Sequence, residues 1–484
     1  MIIRIINLTL VLLLLLSFIH IARTSMDQST PVPGGDSYQY FNTAYNLAQY
    51  NVHDYARNEK PRPSFYREPF YPYLVSIAYR AMGLNEKVNL DCLHNDIDTC
   101  GKFVLGGKIL NFIFLILIAL SALWVLNYFK INKILIFILL IIIVNNPLIR
   151  TYLNEFLTEV LASLLFILAS FSFYRIIFTK NIKVKTIIIY GLLFTFLVMT
   201  KFVYFFSIYI IALTFISLYV VKKIFHWKNI HWSLVCSINF RAIAIFLIII
   251  LIIPTLWKVR NFSELGFYEL SPRGYGGAIA QRLEYLSMTD EEMSAGHWLY
   301  FFNSDIRKEA LSKIDNKNLS RFELSCEDPE NWYCKTSTDE GIVLSRMDPM
   351  KRNVFYEIKN ESLAVLYENL GKHLKLTPLF LQRGSINIIN GLGDYDDYKT
   401  IFYKYLIFIS YLLIPLSLIY SIKTRNYELI ILAFPLLYHY SIYSLLTHFE
   451  PRYSALTINY ILIYNTIFLN RIIMDRKWNL TKKR

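Results

Sequence analysis

The stretch Ile134-Leu135-Ile136-Phe137-Ile138-Leu139-Leu140-Ile141-Ile142-Ile143 contains no polar side chain. An amphipathic surface helix would interrupt such a run with a polar face. A segment that is apolar on every side belongs in hydrocarbon. Ile243–Ile253 and Leu10–Leu16 read the same way. Across the 484 residues, 55% are hydrophobic and 18% charged, against about one quarter charged in a soluble domain. The mean hydropathy is +0.37. Disorder, a coiled coil, collagen and a small disulfide scaffold are excluded. The fold class is an all-α polytopic membrane protein.

A membrane span needs roughly 17–25 mostly apolar residues. Ten segments qualify or nearly so: Ile5–Ala22, Val104–Asn127, Ile134 to about Ile149, Phe156–Phe178, Thr186–Thr200, Phe202–Val221, Ala242–Trp257, Ile401–Tyr420, Leu429–Leu446 and Ser454–Leu469. The gaps between them alternate in charge. One set holds Arg4, Lys130, Lys133, Lys180, Lys183, Lys185, Lys222, Lys223, Lys228, Arg241, Lys423, Arg425, Arg471, Arg476, Lys477, Lys482, Lys483 and Arg484, against one clear acid, Asp475. The loop from Arg23 to Lys102 instead balances eight basic residues with nine acidic ones. Positive-inside bias then predicts cytoplasmic termini and two long extracytoplasmic loops. The net charge of +14 is therefore a topology signal, and no nucleic-acid partner is expected. The first span lacks a small-x-small cleavage site before Thr24-Ser25 and reads as a retained anchor.

Cys92 and Cys100 fall in the first loop and Cys326 and Cys334 in the second. In an oxidising compartment the spacing predicts two short-loop disulfides, with unpaired thiols as the alternative. No Cys or His lies at zinc-ligand spacing in either loop.

The first loop carries the candidate chemistry. Pro31-Val32-Pro33-Gly34-Gly35-Asp36 is a stiff turn ending in a carboxylate, and Tyr38, Phe41, Tyr45 and Ala48 follow at helical spacing. On local grounds Asp36 reads first as a helix N-cap, and one aspartate can serve as cap and site acid together. Pro61-Arg62-Pro63-Ser64-Phe65-Tyr66-Arg67-Glu68-Pro69-Phe70-Tyr71-Pro72 interleaves prolines, rings and charges. Arg67 there suits either an interfacial anchor or a lipid phosphate. Asn154-Glu155-Phe156-Leu157-Thr158-Glu159 sets two carboxylates a helical turn apart. Glu155 has a helix-start explanation; Glu159 falls inside an apolar run, where an acid is read as functional. Lys201 stands between two apolar runs, Arg260 follows Trp257, and His448-Phe449-Glu450-Pro451-Arg452-Tyr453 forms a polar turn between spans. Placed on the topology, these charges gather at the outer face, as a cleft for an anionic lipid headgroup requires.

The pattern resembles the GT-C superfamily of membrane glycosyltransferases, in particular the bacterial branch related to protein O-mannosyltransferases and the lipid A aminoarabinose transferase, glycosyltransferase family 39. The resemblance rests on Gly35-Asp36 before a Tyr-rich helix and on Arg67-Glu68-Pro69-Phe70-Tyr71-Pro72, similar to the family's Arg-x-Pro-x-Tyr-Pro. It continues in Leu157-Thr158-Glu159, Gly191 to Lys201, Trp257-Lys258-Val259-Arg260-Asn261, Gly266 with Ser271 to Gly277, and His448 to Tyr453. Residues 278–380 are unmatched.

The resemblance implies a GT-C transmembrane catalytic module over 1–257 that includes the 23–103 loop. A small extracytoplasmic domain (258–400) and C-terminal helices with a basic tail (401–484) follow. It implies amphipathic juxtamembrane helices at Ser37–Tyr50 and Pro69–Ala81. The donor would be a polyprenyl-phosphate monosaccharide and the transfer inverting, to a hydroxyl of a glycan, lipid or protein, in a bacterial inner membrane. Asp36 matches the catalytic loop aspartate and Glu159 a second acidic position. Arg67, Arg260 and Lys201 are the candidates for the donor phosphate. Glu68, Tyr71, His448, Glu450 and Arg452 are the positioning candidates. Asp36 is followed by Ser37, with neither Asp-Glu nor Asp-x-Asp, so no divalent metal is assigned. A transporter or lipid flippase is the alternative; it predicts charges at the bilayer midplane and repeat symmetry.

Overall fold

The computed structural model describes residues 2–26, 36–55, 61–84, 86–88, 90, 92, 97–179, 181–224, 240–271, 282–283, 285–299, 360–361, 363–385, 398–447, 449 and 451–482. Among them are fifteen α-helices: α1 (Ile2–Ser25), α2 (Asp36–Tyr50), α3 (Phe70–Ala81), α4 (Ile97–Tyr128), α5 (Lys133–Val144), α6 (Pro147–Leu153), α7 (Glu159–Phe178), α8 (Val184–Thr200), α9 (Phe205–Ile224), α10 (Phe240–Leu265), α11 (Asp290–Leu299), α12 (Leu370–Ser385), α13 (Tyr398–Thr424), α14 (Tyr427–Leu446) and α15 (Pro451–Lys482).

The fold is all-α and polytopic. Among the described residues, seven helices are long and apolar enough to cross a membrane: α1, α4, α7, α10, α13, α14 and α15. Helices α5 and α6 add an eighth if taken as one span. All ten apolar segments are helical, but two of them, α8 and the Phe202–Ser217 stretch, stay short. The sequence gives physical reasons for the departures from straight spans. Asn145-Asn146-Pro147 bends α5 against α6 by 49°, because Asn146 caps α6 by accepting from the Leu148 amide at 3.1 Å and Pro147 begins the new helix. Lys201 adopts an extended backbone (φ −144°, ψ 98°) between α8 and a 3-10 turn at Phe202–Tyr204. That break lets one polar side chain leave an otherwise apolar stack.

Helix α7 is the buried axis, with 89% of its span window enclosed, and α4, α8 and α15 pack around it. Helices α2 and α3 clasp each other over the ends of α4 and α7. The α2 face of Tyr40, Phe41, Ala44 and Tyr45 is buried, and the Phe41 ring meets Phe156 edge-on at 5.2 Å. Arg80 of α3 reaches back to the end of α2, donating to the carbonyls of Leu47 and Ala48 and to Asn51. A cation there satisfies open carbonyls and complements the helix dipole. Cys92 and Cys100 are joined as a disulfide with a Cα separation of 5.9 Å. Cys326 and Cys334 lie outside the described residues.

Candidate active site

The first residue of α2 is Asp36, where a carboxylate also complements the helix dipole. Its Oδ1 accepts from Arg67 Nη2, and its Oδ2 pairs with Arg452 Nη2 at 3.0 Å. Asp36 is therefore gripped by two guanidinium groups that are distant in sequence, one from each end of the chain. Arg67 is almost fully buried, with 1% exposure. Its Nε donates to Gln39 Oε1 at 2.6 Å, and its guanidinium lies over the rings of Tyr40 and Tyr66 at 5.0 and 5.3 Å. Its Nη1 is buried and has no partner. The arginine is held on three sides with one N–H group left over. A preorganised cation of this kind suits an anion better than a flexible surface arginine does.

A second ion pair lies alongside. Lys201 Nζ sits 3.0 Å from Glu159 Oε1, with side-chain exposures of 10% and 2%. Glu159 Oε2 is buried and unpartnered. One ring joins the two pairs: Tyr453 carries Lys201 Nζ at 5.6 Å and the Arg452 guanidinium at 5.2 Å. Glu68 accepts from Tyr40 OH, and Tyr71 sets its ring edge-on to Tyr40 at 5.8 Å. Tyr71 donates to Asn111 Oδ1 at 3.1 Å, and Asn111 Nδ2 in turn holds the carbonyls of Leu153 and Glu155. Gly107 completes this clamp, since a Cβ there would stand 2.1 Å from the Phe156 ring.

Arg260 lies in α10 beside the segment that carries Arg67. Its Nη1 donates to the Ser64 carbonyl at 2.9 Å and to Asn261 Oδ1 at 3.0 Å. His53 Nδ1 contacts the same Ser64 carbonyl at 3.0 Å. Burial, then the Arg260 charge, lowers the His53 imidazole to about 4, so it is neutral at pH 7 and its Nδ1 donates. Together these residues pin the segment that carries Arg67. Asn261 is itself fully buried and bonded to the Glu269 carbonyl. His448 and Glu450 lie outside the described residues.

Gln39 and Asn111 were not singled out in the sequence, Tyr453 stood there only as part of the closing turn, and Glu155 had only a helix-start role. Asn111 was visible as an amide inside an apolar run; nothing in the sequence flags Gln39. Glu155 is half-buried between α6 and α7. Burial pushes its carboxyl up to about 7, the Glu159 charge adds to the rise, and Arg452 opposes it. A carboxyl raised in the fold favours the folded state fully below its ordinary value of 4.5, and that advantage disappears as pH climbs through about 7. The melting temperature of wild type should therefore fall relative to Glu155→Gln across that window. Parallel melting curves for the two proteins would remove the perturbed carboxyl.

Three cations and four carboxylates thus share an aromatic-walled site at one end of the bundle. Such a site can bind an anion and move a proton. Among the described residues, no group of three His, Cys, Asp or Glu side chains is arranged to hold a metal.

No family model and no curated protein matches the sequence. Two solved structures align with most of it. The archaeal oligosaccharyltransferase AglB from Archaeoglobus fulgidus, in complex with an inhibitory peptide and a dolichol-phosphate, gives a TM-score of 0.47 at 14% identity, covering 96% of this chain and 50% of that one. The A. fulgidus oligosaccharyltransferase in its apo form gives 0.46 at 12% identity, covering 98% and 52%. The chain spans about half the length of each.

Proposed function

We propose that this protein is a GT-C-type membrane glycosyltransferase. On this reading it moves a monosaccharide from a polyprenyl-phosphate donor to an acceptor hydroxyl, with inversion, at the outer face of the membrane. The observation that carries the reading is the pairing of Asp36 with both Arg67 and Arg452, because it joins the first and last motifs of the resemblance in one site. The donor is an anion on an apolar chain, and Arg67, Arg452 and Lys201 supply the opposite charge. Arg260 holds the Arg67 segment from behind.

The steps follow from these groups. The donor phosphate draws the guanidinium groups of Arg67 and Arg452 and leaves Asp36 free to accept a proton. Asp36 takes that proton from the acceptor hydroxyl, whose oxygen attacks the anomeric carbon. The bond from that carbon to the phosphate oxygen breaks, and its electron pair stays on the phosphate. The arginines neutralise the charge as it grows there. Glu159, fixed by Lys201, positions the acceptor, with Glu68 and Tyr71 on the Tyr40 side.

Losing one charge-assisted contact costs about 1.5–3 kcal/mol. Arg67→Ala protein in lipid nanodiscs should accordingly bind polyprenyl-phosphate sugar at least roughly tenfold more weakly than wild type. Unchanged affinity in the folded variant counts against the phosphate role. Sidedness is tested separately: reporter fusions at Lys183 and Lys483 should report cytoplasm and a fusion at Asn58 the outside. An outside signal at Lys183 would reverse the arrangement.

A further inference from the structure

Helix α12 has three distinct faces. One is buried against the protein: Leu376, Leu379 and Phe380 are fully enclosed, and the helix packs on α14 and α15. Its end is fitted tightly, since a Cβ at Gly384 would stand 2.5 Å from the Phe449 ring. The opposite face is apolar as well, yet open. Leu370, Leu374 and Leu381 are 48%, 52% and 42% exposed, and Leu363 and Tyr367, on the helical residues just before, are 39% and 80% exposed. Spacings of four, three, four and seven residues put all five on one stripe. Lys375 is exposed on the strip between the two apolar faces.

A helix with one side on protein, one open and apolar, and a lysine at the boundary matches the interface of a bilayer. The apolar stripe enters the acyl region, and the lysine reaches a lipid phosphate while its stem covers apolar surface. In water the same stripe would be an aggregation liability. Three observations favour lipid over a protein partner. The helix seats on the end of α14, a candidate span. The next described helix, α13, is also a candidate span and carries exposed Phe402 and Tyr405 in its first turns. Tyr367, the most exposed ring of the stripe, is a residue type enriched at headgroup level.

We propose that α12 is a lipid-docking helix. Its Leu363-to-Leu381 stripe is immersed in the leaflet nearest Asp36, with Lys375 at phosphate level. Gly384 abuts Phe449, and Arg452 follows three residues later, so lipid seats the helix that braces the turn bearing an Asp36 partner. The inference does not depend on the glycosyltransferase reading. It is tested in the full-length protein in its native membrane, with p-benzoylphenylalanine placed by turns at Tyr367, Leu374 and, as a span control, Leu412. Irradiation and mass spectrometry should show phospholipid-mass adducts at Tyr367 and Leu374 in yields comparable to Leu412. Adducts to another protein or to a second copy of this chain would overturn the proposal. So would the absence of adducts at both positions while Leu412 reacts.

Discussion

Purified Asp36→Asn protein is expected to fold, to bind donor, and to turn over at least ~100-fold more slowly than wild type, the usual scale for losing a general base. The substitution separates the two explanations of this residue. Asn caps a helix about as well as Asp, so a purely structural Asp36 predicts near-normal transfer. Asn also keeps an oxygen that can accept from Arg67 or Arg452, which preserves most of the geometry seen at the two guanidinium groups. What disappears is the negative charge and the ability to take a proton. Donor affinity should hold or rise, because the arginines lose a competing anion. Near-wild-type transfer by Asp36→Asn would falsify the mechanism and leave the fold untouched.

The second large effect is on stability. Lys201→Met should destabilise the protein by about 3–5 kcal/mol, the typical penalty for stranding one charge of a buried pair. Glu159 is nearly inaccessible, with 2% side-chain exposure, and Lys201 Nζ is its ion partner at 3.0 Å. Replacing the lysine leaves a carboxylate with no route to water. Adding Glu159→Gln to Lys201→Met should recover much of the loss, since two neutral side chains of similar size avoid the stranded charge. Thermal unfolding of the single and double variants in the same nanodisc gives the comparison. A double variant as unstable as Lys201→Met alone would mean that the lysine acts on something other than Glu159.

The helical character of the fold was legible because it depends on local composition. Runs such as Ile134–Ile143 have no other home than a membrane, and alternating basic loops arrange them without any tertiary information. Helix ends were harder. Asn145-Asn146-Pro147 bends one apolar run into two helices by capping and ring geometry, and that subtracts a simple span. In the site, Asp36, Arg67, Glu159 and Lys201 were legible because each breaks a local pattern: a turn ending in a carboxylate, or a charge inside an apolar run. Their pairing was not, since Arg67–Asp36 and Lys201–Glu159 cross 31 and 42 residues of sequence. Arg260 was legible as a charge at the end of an apolar run, but its contact with the Ser64 carbonyl was not, because it crosses 196 residues of sequence. Glu155 depended on desolvation and on the neighbouring Glu159 charge, which arise only when the chain is packed.

The central claim is sugar transfer from a polyprenyl-phosphate donor at the Asp36 site. It is tested most directly by mass spectrometry of glycolipids, envelope glycans and glycoproteins from a strain lacking this chain, complemented with either wild type or Asp36→Asn. One glycan should be short by the mass of a monosaccharide in the deletion strain, be restored by wild type, and stay short with Asp36→Asn. Identical glycans in all three strains, across every class, would contradict the claim.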